Sequence, residues 1–459
     1  MKIFSGGAVA RPSLLLCGVL LLGLSALSTS AHRAEATDDD AAKPSVDWSR
    51  SAPFVDRNPE RAQRLASKKS VEATIAALDF LVRHQGKNGE WSSSDVTSTC
   101  EDPGELCKNR DGAHACTGPG YPNFETGVTG LCLLAFAGRG NTHLSAEKED
   151  YRAAVDHGVR FLLSQIHPEK EGDLLSGLIG FSKAGKKFSG TDEAIYNHLI
   201  ATTALAELLL GTADRAQLEA PVKRAVEQIF DHQSNSKGTR YGWKYERGGK
   251  SDSSVTAWAV QALWTARECQ RAGLLDIDEK KFEEAFSGAL RWYGKVTSER
   301  GYTGYLAPGD PGSRLTSLWS EGYEFNQFET PSINAAAAFT TRLAGGKKDS
   351  KLAKRRWKLL SDREPRYLPS RKKSGISGTV NFYFWFWNSH ALVQKGGTPA
   401  RKWKKSLEEI LLEQQHIEGC SRGSWDTAGA WCPVGGRFYA TAMGALCLEA
   451  PYRLKKLKK

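Results

Sequence analysis

One pattern recurs along the chain and constrains its fold more than any other feature: apolar residues at helical spacing, then Gln, then a short polar stretch with glycine, then a large aromatic. The clearest copy runs from Phe80 through Gln85 and Gly89 to Trp91. Others are Phe161, Leu162 and Gln165 with Gly180 and Phe181; Ile229, Phe230 and Gln233 with Gly242 and Trp243; and Leu411, Leu412 and Gln415 with Gly423 and Trp425. A degenerate copy runs from Leu290 and Trp292 to Gly304 and Tyr305. The apolar spacing predicts a helix, and the glycine supplies the turn that stops it. The aromatic is then placed to pack back over that turn, so Gln and Trp read as structural staples.

Between these copies lies a second kind of helical segment, rich in small residues: Thr126 to Phe136, Glu193 to Leu209, Asp252 to Thr265, Pro331 to Leu343, Phe384 to Gln394 and Phe438 to Leu448. A shared register aligns Thr129, Thr202, Thr256, Asn334, Ser389 and Thr441. Small side chains let helix axes approach closely, as a crowded inner ring requires. Six such helices paired with outer ones, roughly 50 to 80 residues apart, mark a repeat array. An open array needs polar caps at both ends, yet the last helix is as apolar as the interior ones. The expectation is therefore an all-α, single (α/α)6 toroid from about residue 70 to residue 453. No dinucleotide fingerprint or phosphate-binding loop interrupts it.

The remainder of the 459 residues divides by composition. Lys2 and Arg11 precede the apolar run Leu14 to Leu27, and small residues end at Ala31, so residues 1–31 read as a signal peptide. That predicts export to a periplasmic or extracellular compartment, with an uncleaved membrane anchor as the alternative. Residues 32–69 are polar and proline-containing, the composition of a flexible linker, and residues 454–459 form a basic tail. In an oxidising compartment, disulfides are expected among Cys100, Cys107 and Cys116 and at Cys420 and Cys432. The rival metal set Cys107, His114 and Cys116 lacks paired Cys-x-x-Cys knuckles. No metal and no cofactor are thus expected. The net charge of +11 comes from patches at Lys347 to Lys358, Arg371 to Lys373, Arg401 to Lys405 and the tail. These suit an anionic partner or a membrane surface. Export and the lack of a recognised fold signature argue against nucleic acid, and oligomeric state is left open.

In a toroid, the loops entering the inner helices surround one mouth of the central cavity, so ligands should meet the first turns of those helices. The candidate binding residues there are Tyr196, Tyr383, Trp385, Trp387, His390, Arg437 and Tyr439, a mix of aromatics with a few polar groups typical of small-molecule pockets. The run Phe382 to Trp387 suits either stacking on a sugar or lining an apolar tunnel. For catalysis the candidates are His198, which titrates near neutral pH, with Asp252 or Glu329 as partner. Each has a plainer account: Asp252 can cap a helix, His198 can be a hydrogen-bonded wall residue, and Arg437 can pair with Asp426.

The recurring Gln-to-Trp stretch resembles the QW motif of the squalene cyclase and protein prenyltransferase family. Tyr196 to Thr202, Asp252 to Trp258, Phe382 to Trp387 and Gly423 to Asp426 with Gly435 to Arg437 look like segments of exported bacterial prenyltransferase and squalene oxidase repeat proteins. This terpenoid cyclase-like resemblance implies an α/α toroid and a small or lipid-like ligand in its cavity. It does not carry the family's chemistry across. The Asp-x-Asp-Asp acid motif of class II cyclases has no counterpart at an inner-helix start, the nearest spelling being Asp276 to Glu279, and no Asp-x-Cys zinc pair of the prenyltransferases is found. Three readings stay open: ligand binding without turnover, a non-standard isoprenoid-modifying enzyme, and a glycan-active (α/α)6 enzyme with paired carboxylates.

Overall fold

The helices alternate between two kinds that differ in what surrounds them. In the computed structural model, residues 57–100, 107, 116–170, 173, 175–180, 193–310, 331–369 and 378–457 are described. Thirteen helices appear among them. A short α1 (Pro59–Leu65) precedes six outer helices: α2 (Lys68–Arg83), α4 (Glu149–Ser164), α6 (Arg215–His232), α8 (Glu279–Lys295), α10 (Lys351–Ser361) and α12 (Gly397–Gln414). The six inner helices are α3 (Glu125–Gly138), α5 (Glu193–Thr212), α7 (Ser253–Arg271), α9 (Ser332–Leu343), α11 (Phe382–Lys395) and α13 (Cys432–Arg453). A two-residue hairpin, Asn235–Ser236 with Thr239–Arg240, is the one sheet among the described residues.

Outer helices bury one stripe and inner helices bury nearly every residue. In α4 the buried positions are Tyr151, Ala154, Val155, Gly158, Val159, Phe161 and Leu162, an amphipathic spacing. In α3 every residue from Thr126 to Gly138 is buried. An inner helix touches two inner neighbours and the outer helices behind it and faces the ring's axis, so no side of it reaches water. Contacts run α3 to α5, α7, α9, α11 and α13, and α13 returns to α3 and α2. The ring is closed. Ala194–Thr212 is long and apolar enough to span a membrane, but it is an inner-ring helix and mostly buried.

The Gln-to-Trp turns show how the ring is fastened. Gln85 Nε2 donates to Gly89 O (2.9 Å) within its own turn and to Ala154 O (2.8 Å) on the next outer helix. Gln233 Nε2 does the same to Tyr241 O (2.6 Å) and Ala285 O (3.0 Å). Gln415 Nε2 reaches Gly423 O (2.8 Å) and, across the seam, Ala73 O (2.8 Å) on the first outer helix. The indole N–H of Trp91, Trp243 and Trp425 donates to Leu81, Ile229 and Leu411 O, back in the helix just completed. Gln165 departs from this, its amide donating to Ser164 Oγ. Thr129 and Thr256 accept the backbone N–H of Trp91 and Trp243, and Asn334 accepts that of Thr303. Ser389 lies deeper in its helix and accepts the indole N–H of Trp403 (2.9 Å).

Two boundaries differ from the sequence expectation. Residues 57–69 are not linker: Asn58 caps α1 with Pro59 in its first turn, and Arg57 and Arg61 donate to the carbonyls of Arg453 and Tyr452. Pro59, part of the proline content that suggested a linker, starts a helix, because the first turn needs no N–H from it. The basic tail is likewise docked in part, with Leu454 buried and Leu457 N–H donating to Gln394 Oε1 (2.8 Å). Residues 1–31, read as a signal peptide, lie outside the described residues.

Candidate functional site

The inner helices run in the same direction, so their first turns meet at one mouth. Tyr196 stands in the first turns of α5, Ser254 in the first turn of α7 and Tyr383 in the first turn of α11. Tyr196 OH donates to Ser254 Oγ (2.8 Å), which is also 2.8 Å from Tyr383 OH. Three different helices thus bring hydroxyls to one point. Beside them the phenols of Tyr245 and Tyr305 hydrogen-bond each other, and the Tyr196 and Tyr245 rings lie 6.1 Å apart. Trp431 meets the edge of Tyr383 at 6.3 Å. Tyr196, Tyr245 and Trp431 are half-buried, so this tyrosine floor is not sealed. Burial raises the pKa of Tyr196, Tyr305 and Tyr383, so these phenols stay protonated and can donate. Tyr439 OH is buried with no protein partner. A buried hydroxyl without a partner calls for water or a ligand.

Below this floor the bore is filled. Trp258 on α7 stacks on Phe386 of α11 (5.7 Å, 15°) and meets Trp387 edge-on (4.9 Å). Since α9 separates α7 from α11 around the ring, these rings meet inside the ring, over the inner face of α9. Phe339 of α9 completes the plug against Trp387 (6.1 Å) and His390 (5.3 Å). At the C-terminal ends of the inner helices sits a buried ionic cluster. Glu207 pairs with both Arg57 and Arg453 at 2.6 Å, and Glu449 pairs with Arg453 at 3.0 Å. The two arginines hold Glu207 below the usual carboxylate range despite its burial, whereas burial pushes Glu449 up to about 8. Gly138 lets Glu449 approach, because a Cβ there would lie 1.8 Å from Glu449 Oε2.

Several sequence expectations are corrected by this arrangement. Trp385 and Trp387 are wholly enclosed, so neither offers a groove. Trp387 belongs to the plug, while Trp385 packs on Phe382 and Tyr367 on the other side of α11. The reason is periodicity: positions 383, 386, 387 and 390 share one helical face, and 385 does not. His390 lies in the plug, its Nδ1–H donating to Phe386 O (2.8 Å), and burial lowers it to about 3. His198 is held at both nitrogens by backbone: Nδ1 accepts Ile179 N–H (3.1 Å) and Nε2 donates to Ala225 O (3.1 Å). Burial lowers it to about 3, so it is a neutral strut between α5 and α6 with no lone pair for catalysis. Asp252 caps α7, Oδ1 accepting from Ser254 N–H (2.9 Å) and Val255 N–H (2.8 Å). Arg437 is fully engaged with Thr117 O, Ser424 Oγ and Asp426. Glu329 lies outside the described residues. Tyr196, Tyr383 and Tyr439 stand at the mouth.

The cysteines also depart from expectation. None of the eight described cysteines is joined in a disulfide. Cys420 gathers with Cys100, Cys107 and Cys116 rather than pairing with Cys432. The turn between α12 and α13 carries Cys420 toward the first repeat, across the seam, and His114 lies outside the described residues. The basic stretch at Lys347 to Lys358 borders an open groove of about 790 Å³ with Arg342 and Lys395, at the inner-helix C-termini opposite the tyrosine floor. Cations there complement the helix dipoles.

No protein-family model matches the chain, and no curated protein matches it. Among solved structures it is similar to an inactive variant of an alpha-1,6-mannanase of Salegentibacter sp. HEL1_6 in complex with alpha-1,6-mannotetrose (11% identity, TM-score 0.50, covering 84% of this chain and 99% of that one). It is also similar to an unsaturated glucuronyl hydrolase specific for heparin (11% identity, TM-score 0.50, 84% and 96%). The type II terpene cyclase MstE from Scytonema aligns at 12% identity and a TM-score of 0.48, over 84% and 97%. At such identities the likeness is one of fold: the α/α toroid.

Proposed function

We propose that this protein binds a small, hydroxyl-bearing molecule such as a saccharide unit on the tyrosine floor at the N-terminal mouth of its toroid. The observation that carries this reading is the convergence of Tyr196, Ser254 and Tyr383 hydroxyls from three separate helices. Protonated phenols with a half-buried ring or two offer both stacking faces and hydrogen bonds, the combination a sugar uses. The filled bore speaks against a long apolar tunnel, since Trp258, Phe386 and Trp387 pack together inside it. Among the described residues, the two candidates for an acid–base pair are otherwise engaged: His198 is a strut and Asp252 a cap. Binding without turnover therefore fits better than catalysis. Export rests on the N-terminal sequence, and the mature N-terminus found by mass spectrometry of the exported fraction tests it.

Calorimetric titration of the full chain against neutral and acidic oligosaccharides, squalene and a prenyl diphosphate is the decisive experiment. A saccharide should bind, and Tyr196→Phe should weaken it by about 1 kcal/mol, the net worth of one hydrogen bond. Tight squalene or prenyl diphosphate binding that is indifferent to Tyr196→Phe and Tyr383→Phe would overturn the proposal, as would no saccharide binding at all.

A further inference from the structure

Four thiols from the two ends of the ring meet at its seam. Cys100, Cys107 and Cys116 come from the segment between α2 and α3, and Cys420 from the turn between α12 and α13. Their Sγ atoms all lie within 4.8 Å of one another. Cys107 Sγ is 3.3 Å from Cys100 Sγ and 3.7 Å from Cys116 Sγ. Three of the four are buried, and Cys100 is half-buried.

This grouping fits one occupant. Disulfides join sulfurs in pairs at about 2 Å, whereas here Cys107 has two sulfur neighbours at similar distance and the set has four members. A single tetrahedral ion with metal–sulfur bonds of about 2.3 Å sets neighbouring sulfurs about 3.8 Å apart, close to the observed separations. A multinuclear iron–sulfur cluster would spread its thiolates over two or more irons and so hold some of them farther apart. The surroundings are built to hold the four in place. Arg437 bonds to Thr117 O, next to Cys116, and to Ser424 and Asp426 just after Cys420. Tyr121 N–H donates to Val434 O (2.7 Å), and Gly436, at φ +70, approaches Ser93 O so closely that a Cβ would lie 2.5 Å from it.

We propose that Cys100, Cys107, Cys116 and Cys420 together bind one thiophilic divalent cation of the zinc class, and that this ion clasps the first repeat to the last. Binding breaks four S–H bonds, forms four metal–sulfur bonds and releases the protons to solvent, with no change of oxidation state. All four positions of a tetrahedral ion are filled by protein, so the site is structural and leaves none for substrate. The ligands bridge residues 313 apart in sequence. The ion therefore fastens the closure of the ring, alongside the bond of Gln415 to Ala73 O across the same seam.

The test is metal content and cobalt spectroscopy on the full chain. The purified protein should hold one equivalent of zinc, released on denaturation. Cobalt exchanged into the site should show the thiolate charge-transfer and intense visible bands of a tetrahedral tetrathiolate. Cys420→Ser should lower metal affinity by about tenfold or more, while Cys432→Ser and Cys447→Ser should leave it unchanged. Should Cys420→Ser fail to fold, alkylation of the wild-type chain decides: these four thiols should resist the reagent with zinc bound and react after chelation. A reduced wild-type chain that takes up neither zinc nor cobalt overturns the proposal. So does peptide mapping that finds the four joined as disulfides in freshly isolated protein, or metal loss equal in Cys432→Ser and Cys420→Ser.

Discussion

Replacing Gln415 by Ala probes the closure of the ring, since its amide makes one bond inside its own turn and one across the seam to Ala73 O. Each lost hydrogen bond costs about 1 kcal/mol net, and a carbonyl left buried without a donor costs about 1–3 kcal/mol. Gly423 O is left without a donor while Ala73 O, inside α2, keeps its helical one, so Gln415→Ala should destabilise by about 2–4 kcal/mol, about 1 kcal/mol of it at the seam. Gln233→Ala removes the same pair of bonds in mid-ring, to Tyr241 and Ala285 O, and provides the reference. Equilibrium urea unfolding gives both values, and hydrogen exchange locates them. Gln415→Ala should accelerate exchange in Lys68–Arg83 as well as in its own turn, because the two are fastened together only in a closed ring. If Gln415→Ala lies within about 0.5 kcal/mol of wild type while Gln233→Ala costs several times that, and α2 exchanges as before, the ring is not held at this seam and the closure argument is refuted.

The buried charges give further expectations. Glu207→Gln leaves Arg57 and Arg453 buried without the carboxylate they share, which should cost about 3–5 kcal/mol in urea unfolding. Gly138→Ala forces a methyl onto the Glu449 carboxylate and should lower the thermal midpoint, and Glu449→Ala in the same chain should restore part of the loss. His390 is lowered to about 3 from the usual 6.5, so its contribution to stability is full above pH 6.5 and is lost as pH falls toward 3. Unfolding between these limits takes up a proton at this site, worth about 1.4 kcal/mol per pH unit. His390→Phe should flatten the acid limb of the stability profile by that slope. Glu449 works in the opposite sense: raised to about 8, it stabilises below pH 4.5 and loses that contribution as pH rises through 8. Glu449→Gln should therefore reduce the fall in stability on the alkaline side.

The repeat grammar was legible because it is local. Gln85, Gln233 and Gln415 each end a helix with the same chemistry, and their glycines and tryptophans follow at short range. The candidate site was only partly legible. Tyr196 and Tyr383 were found from their places at helix starts, but Ser254, Tyr245 and Tyr305 were not read as site residues, Tyr305 having been taken only as the aromatic of a degenerate repeat. Glu207 and Glu449 were missed, although a charge in an otherwise apolar inner helix announces a buried partner. Trp385 and Trp387 misled because a six-residue aromatic run looks like one surface, while a helix distributes it around all its faces.

The sequence by itself determined the helices, their order, most of the stapled turns and the closure of the ring, which follow from periodicity, short-range hydrogen bonding and an apolar last helix. Only the tertiary structure decided what fills the ring. Which rings meet inside the toroid, which arginine answers which glutamate and which four thiols converge depend on residues hundreds of positions apart, and their encounters are set by the angle at which each helix stands around the axis. Chain order does not encode that angle locally. It emerges when all six pairs pack at once, and it turns an expected hollow into an aromatic plug between a tyrosine floor and a buried ionic cluster.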